Sequence, residues 1–365
     1  MLYGIAVLKW DKKYGMKIEA SFPESLEITD QMMKQIYTNH EFEEEAGFLA
    51  LSIQELNIAT FYTGTDSEYY IVAVLSIDEI SEDYEDILSD TVRLIMANLK
   101  GKRYATNLPL YYNQIASYPK MNEEQKLALI LLDPVKKMII DRLIEDGTVS
   151  KSELSAWLKD RFGSEYIDMD SIINSLLRNK ILREETLEMM TSSSIFLIGD
   201  VFVTRLPPKT SIAMVKAMSS LESSIVKNYL DDVQTFFEKY SPNPEDQEEI
   251  LKIITDMDAF DLIERLRRAP IGSKSKIYSK IYNQVSNFND LLTRLWEAQV
   301  ITVLKNKKGE EYLFLKSDIS VQYVFPEYLI DKIRHLYYDG AKSDEILIEH
   351  LRILKDRYYD YKKGR

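Results

Sequence analysis

Apolar runs broken by short polar turns fill the first hundred residues. LYGIAVLKWD and GMKIEASF flank a charged turn that reaches Gly15, the pattern of a hairpin. In TDQMMKQIYTNHEF, Thr29 or Asp30 can cap a helix, and Met32, Met33, Ile36 and Tyr37 fall at helical spacing. GFLALSI, NIATFYTG and EYYIVAVLSI read as three strands, with turns at Gln54-Glu55 and Thr65-Asp66-Ser67. SEDYEDILSDTVRLIMANL reads as an amphipathic helix with acids in its first turns, which suits the helix dipole. The order predicts an α+β domain over residues 1–100, a five-stranded antiparallel sheet with flanking helices.

Periodicity weakens over residues 101–121, which carry two prolines and read as a linker arm. From Glu123 the pattern turns helical. A break at Pro134, a helix capped by Ser150 and a helix begun by Asp168 or Asp170 precede IFLIGDVFVTRLPP, read as a hairpin around Gly199-Asp200. Three helices and a hairpin make a winged-helix pattern over 122–208. One long helix is expected over 209–244, ending at SPNPEDQEE. The pattern then recurs over 245–340, with Lys307, Lys308 and Gly309 at a hairpin tip. A C-terminal helix covers 341–365, after a break near Gly340. The recurrence is one of pattern, with little identity.

Chemistry narrows the field by elimination. The 365 residues hold no cysteine, which removes disulfides, thiolate metal sites and a Cys nucleophile. The histidines are His40, His335 and His350, too few and too scattered for a His-rich site; His40 is expected at the surface or as a dipole partner at a helix end. No phosphate loop, dinucleotide fingerprint, zincin or nucleophile-elbow motif occurs. The acidic runs Glu43-Glu44-Glu45 and Glu82 to Asp86 read as a solvated loop and a helix start. With no apolar run of membrane-spanning length and no secretory leader, the expectation is a cytoplasmic protein without membrane insertion. No cofactor is expected.

The net charge of −13 is uneven. Residues 1–120 hold 10 Lys+Arg against 19 Asp+Glu, or −9, whereas residues 259–340 hold 13 against 10, or +3. An acidic chain is a poor general ligand for nucleic acid. If the second winged helix binds DNA, the candidate contacts are Lys274, Lys276, Asn287, Arg294, Lys307 and Lys308.

The run GIAVLKWDKKYGMKIEASFP, followed by IYTNHEF, LSIQELNIATFYTG and YYIVAVLSID, resembles archaeal longin- or roadblock-like domains over roughly residues 1–100. The resemblance implies binding of a small GTPase, or homo- or heterodimerisation with a longin/roadblock-domain protein. A longin domain followed by winged helices looks like the subunits of nitrogen permease regulator-like, Rag GTPase-activating complexes, and paired winged helices look like the endosomal-sorting complex two subunits. No arginine finger maps onto a position here. The expected function is therefore a non-catalytic cytoplasmic adaptor or regulator. Its candidate contacts are Trp10, Gly15, Tyr62, Gly64, Tyr69 and Tyr70, and the alternative is a DNA-binding transcriptional regulator.

Overall fold

The computed structural model describes all residues except 42–45, 163–168, 188–191, 220, 270–271, 282–286 and 364–365. The Glu43-Glu44-Glu45 run lies outside the described residues. The N-terminal elements are β1 (Leu2–Asp11), β2 (Gly15–Phe22), α1 (Asp30–Glu41), β3 (Gly47–Ile53), β4 (Leu56–Tyr62), β5 (Tyr69–Ser76), α2 (Glu85–Ala97) and α3 (Arg103–Ser117). The strands form one antiparallel sheet in the order β2-β1-β5-β4-β3, so the α+β class read from the sequence is the class observed.

Side chains alternate across each strand, and both faces are buried. On one face Ala6, Leu8, Ile58 and Val72 pack with Met32 and Ile36 of α1. The intervening positions Ile5, Val7, Phe61 and Ile71 are buried as well, and α2 and α3 contact the sheet. α1 is capped by the Thr29 hydroxyl, which accepts the Met32 N–H at 3.2 Å.

The expected linker arm at 101–121 is instead largely the helix α3. Tyr104, Leu108, Tyr111 and Ile115 are its buried residues, one stripe at helical spacing, and Tyr112 donates through its hydroxyl to the Leu2 carbonyl at 3.1 Å. Pro109 lies on the exposed side of the helix. The stripe decides the conformation, and the proline that suggested an arm is tolerated beside it.

The rest of the chain is a tandem repeat, deeper than the pattern in the sequence suggests. First come α4 (Glu123–Leu132), α5 (Pro134–Asp146), β6 (Thr148–Ser150), α6 (Lys151–Phe162), α7 (Met169–Arg178), β7 (Leu182–Glu185), β8 (Ser194–Leu197), β9 (Asp200–Leu206), α8 (Lys209–Ala217) and α9 (Ser223–Lys239). The same order returns as α10 (Pro244–Thr255), α11 (Met257–Arg268), β10 (Gly272–Ser273), α12 (Lys274–Ile281), α13 (Phe288–Glu297), β11 (Ile301–Lys305), β12 (Glu311–Leu315), β13 (Asp318–Val324), α14 (Tyr328–Tyr338) and α15 (Asp344–Lys363).

Local chemistry recurs with it. Asn122 caps α4 and Asn243 caps α10. Asp133 accepts N–H bonds at the start of α5, as Asp256 does at α11. After α7 and α13 the chain turns through left-handed residues, Lys180 at φ 56° and Gln299 at φ 58°. The next amide then bonds back into the helix, Ile181 to the Leu176 carbonyl and Val300 to the Leu295 carbonyl. The small sheets match too, β6-β8-β7 and β10-β12-β11.

Two expectations fail here. No hairpin forms around Gly199-Asp200: β8 pairs with β6 and β7, while β9 pairs with β13. At Gly199 an added Cβ would lie 2.1 Å from the Tyr323 ring, so β13 rather than β8 lies against this turn. The single helix expected over 209–244 is two, α8 and α9, and Asn243-Pro244 already opens α10.

The chain packs as two compact units. One is Met1–Lys120 with Leu143–Ile198 and Leu329–Arg365, and the other is Met121–Arg142 with Gly199–Tyr328. In the first, the last helices of the second repeat cover the sheet of the first repeat. Phe196 and Ile198 cluster with Ile353 of α15, the His350 Nε2–H donates to the Leu197 carbonyl at 2.8 Å, and Lys342 donates to the Thr148 carbonyl.

In the second unit, the last helices of the first repeat cover the sheet of the second. Val215, Ile225, Tyr229 and Val233 cluster with Phe314, and the Tyr229 hydroxyl donates to the Leu315 carbonyl at 2.8 Å. Leu197 and Leu315 hold matching positions, as do Phe196 and Phe314, so the two helix pairs are exchanged between the repeats. β9 and β13 pair antiparallel about their middles, Val203 opposite Val321, and α4 packs on α10, with Gln125 donating to the Ile254 carbonyl.

Candidate protein-docking site

The N-terminal hairpin and α1 line a groove in the first unit. Asp11 builds the turn: its carboxylate accepts the Lys13 N–H at 2.8 Å and the Tyr14 N–H at 3.0 Å, and these bonds hold its pKa below the usual carboxylate value. Gly15 closes the turn at φ +76°, a conformation that favours glycine. Trp10 then points toward α1 and stacks on Tyr37, with centroids 3.8 Å apart and planes 12° from parallel. The Trp10 backbone N–H donates to the Glu68 carbonyl at 3.0 Å.

Met16, Met33, Lys34, Asp30 and Thr38 complete a depression of about 370 Å³. α1 carries two stripes at i, i+4 spacing. Met32, Ile36 and His40 enter the core, while Met33 and Tyr37 line the groove. Rigid aromatic faces, adaptable thioethers and one charge of each sign suit recognition of a protein surface.

The sequence-named contacts divide under this geometry. Trp10 and Gly15 belong to the groove and its turn. Tyr69 is half-buried with the Lys9 ammonium 4.9 Å above its ring. Gly64, at φ +87°, turns the β4–β5 connection, where its carbonyl accepts the Glu68 N–H.

Tyr62 and Tyr70 are corrected: only 7% and 3% exposed, they stack on each other at 4.7 Å inside the core. His40 is corrected as well. It is 1% exposed, 5.7 Å from Tyr62 and 5.5 Å from Tyr70 between centroids, and neither ring nitrogen has a hydrogen-bond partner. Burial pushes its pKa down to about 4. Tyr37, Met16, Met33 and Lys34 were not singled out as contacts. The signal that could have found Tyr37 is the Met33–Tyr37 stripe beside the core stripe.

Of the six residues named for nucleic acid, three are held in a cap or ion pair. Asn287 caps α13, accepting the Asp290 N–H. Arg294 pairs with Asp256 at 2.6 Å. Lys274 shares Glu311 with Lys305, at 3.0 and 3.1 Å. Lys276 lines a separate depression of about 530 Å³ with Arg265, Arg268 and Tyr312. Lys307 and Lys308 are exposed at the β11–β12 tip, where the Lys307 N–H donates to Glu222.

Glu85 and Asp86 of the second acidic run start α2 and pair with Arg178 of α7. Among the described residues, no group of three or more His, Asp or Glu is placed to hold a metal ion, and no helix is long and apolar enough to cross a membrane. Compared with protein-family models, with curated proteins and with solved structures, the chain matches none.

Proposed function

We propose that the chain is a non-catalytic adaptor whose N-terminal domain binds a small GTPase or a longin/roadblock-type protein. The observation that carries this reading is the Trp10–Tyr37 groove, a preformed aromatic recess held open by a hydrogen-bonded turn. The resemblance over residues 1–100 supports it, as does the five-stranded sheet with helices on both faces. β3 pairs only with β4 among the described residues, which offers a partner backbone edge beside the domain. The tandem repeats then act as winged-helix-like docking modules.

The alternative, a DNA-binding regulator, requires Asn287, Arg294 and Lys274 to leave the cap and ion pairs that hold them. The test is a biolayer-interferometry panel of purified small GTPases and longin/roadblock proteins from the same organism. At least one should bind, and Trp10→Ala should weaken it about ten-fold or more, as expected for an aromatic anchor. A panel in which nothing binds, or a partner indifferent to Trp10→Ala, removes this reading.

A further inference from the structure

The depression beside Lys276 is a second site, independent of the groove. It is lined from the end of α11, from α12 and from β12, all in the second unit. Its volume of about 530 Å³ falls within the roughly 300–1,000 Å³ of small-molecule sites. Leu266, Ile277 and Tyr312 give it an apolar wall. Gly272 shapes that wall: an added Cβ would lie 2.3 Å from the Ile277 Cδ1, so the isoleucine packs on bare backbone. Arg265, Arg268 and Lys276 bring cations to the lining. Against them stands the carboxylate of Glu310, which accepts the Tyr312 hydroxyl at 2.8 Å.

The tandem repeat shows that the fold does not require this charge. The caps at Asp133 and Asp256 and the β6–β8 and β10–β12 registers align the two repeats here. Arg142 then matches Arg265, Glu145 matches Arg268, Glu153 matches Lys276 and Ser194 matches Tyr312. The same scaffold thus folds with acids at two of the cationic positions and no ring beside them. Nor does the structure consume the cations. Among the described residues the Lys276 ammonium has no ion-pair partner. The Arg268 side chain is 81% exposed, and its pair with Glu264 at 3.0 Å is of the exposed kind that contributes little. Arg265 lies 3.8 Å from Asp261.

We propose that this recess binds an organic anion, an apolar body carrying a phosphate or carboxylate group. The guanidinium and ammonium groups would donate to the anionic oxygens in charge-assisted bonds, while the body rests on Ile277 and Tyr312. Inorganic phosphate alone would leave the apolar wall unused. Duplex DNA would bring a row of phosphates to a single recess flanked by Asp261, Glu264 and Glu310.

The test is isothermal titration calorimetry of the full chain at low salt with 1-naphthyl phosphate, 1-naphthol and inorganic phosphate. Naphthyl phosphate should bind at least about ten-fold more tightly than either half of it. Arg268→Gln with Lys276→Gln should weaken it about ten-fold or more without moving the urea midpoint. Ile277→Ser should weaken naphthyl phosphate and leave inorganic phosphate unchanged. No binding of naphthyl phosphate, equal affinity for the probes, or an affinity indifferent to these variants overturns the proposal. Random duplex DNA, or phosphatidylcholine vesicles containing phosphatidic acid, form the last arms. If either binds more tightly than naphthyl phosphate and is lost in the double variant, the cations serve a polyanion or a lipid surface, and the proposal falls.

Discussion

His40 sits in the last turn of α1, where the helix dipole favours a cation by about 0.3–1 kcal/mol. Burial opposes it and wins. A pKa lowered from 6.5 to about 4 corresponds to roughly 3 kcal/mol against the imidazolium. His350, on the buried side of α15 with its Nε2–H on the Leu197 carbonyl, is also lowered to about 4 by desolvation. The unfolded chain therefore binds protons that the folded chain refuses between pH 6.5 and 4. Each histidine leaves stability intact above pH 6.5 and costs it as pH falls through that window, about 2 kcal/mol per histidine by pH 5. His40→Phe should reduce the loss between pH 7 and pH 5 in urea titrations; an unchanged loss contradicts a buried neutral His40. Asn287 belongs to the same scale. As a cap, Asn287→Ala should destabilise the chain by about 1 kcal/mol, whereas a residue poised only for base contacts would leave the urea midpoint unmoved.

At the scale of elements, legibility tracked periodicity. The five N-terminal strands and α1 stand where alternation and helical spacing placed them, because each pattern matched its burial. α3 escaped notice because Pro109 suggested a break, although Tyr104, Leu108, Tyr111 and Ile115 carry the period of a buried stripe. Tyr104→Ala should accordingly cost about 3–5 kcal/mol in urea unfolding, as for an aromatic removed from a core; a change below about 0.5 kcal/mol is what a surface arm would give. β9 was misassigned for a different reason. Gly199-Asp200 has the composition of a hairpin turn, but the strand's partner is β13, over a hundred positions away, and local sequence holds no record of that pairing. The site was half legible on the same grounds. The hairpin signalled Trp10 and Gly15, while adjacent tyrosines in strands could not be sorted into inward and outward without the register that buries both Tyr62 and Tyr70.

For the whole molecule, the exchanged helix pairs make a prediction that connectivity alone would place in the wrong repeat. Ending the chain after Tyr328 removes α14 and α15, which follow the second repeat in sequence but cover Phe196 and Ile198 of the first. Hydrogen exchange should accelerate in residues 148–150 and 194–197 and stay slow in 301–305 and 311–315, which α8 and α9 still cover. Acceleration in the second repeat instead would contradict the exchange. Under the proposed adaptor function, the acidic N-terminal domain would recognise a partner through its aromatic groove. The most direct test of that central claim is hydrogen exchange of the full chain with and without a saturating small GTPase or longin/roadblock partner from the binding panel. The account predicts slowed exchange in the Trp10 to Gly15 turn and in α1; protection that leaves these segments untouched would contradict it.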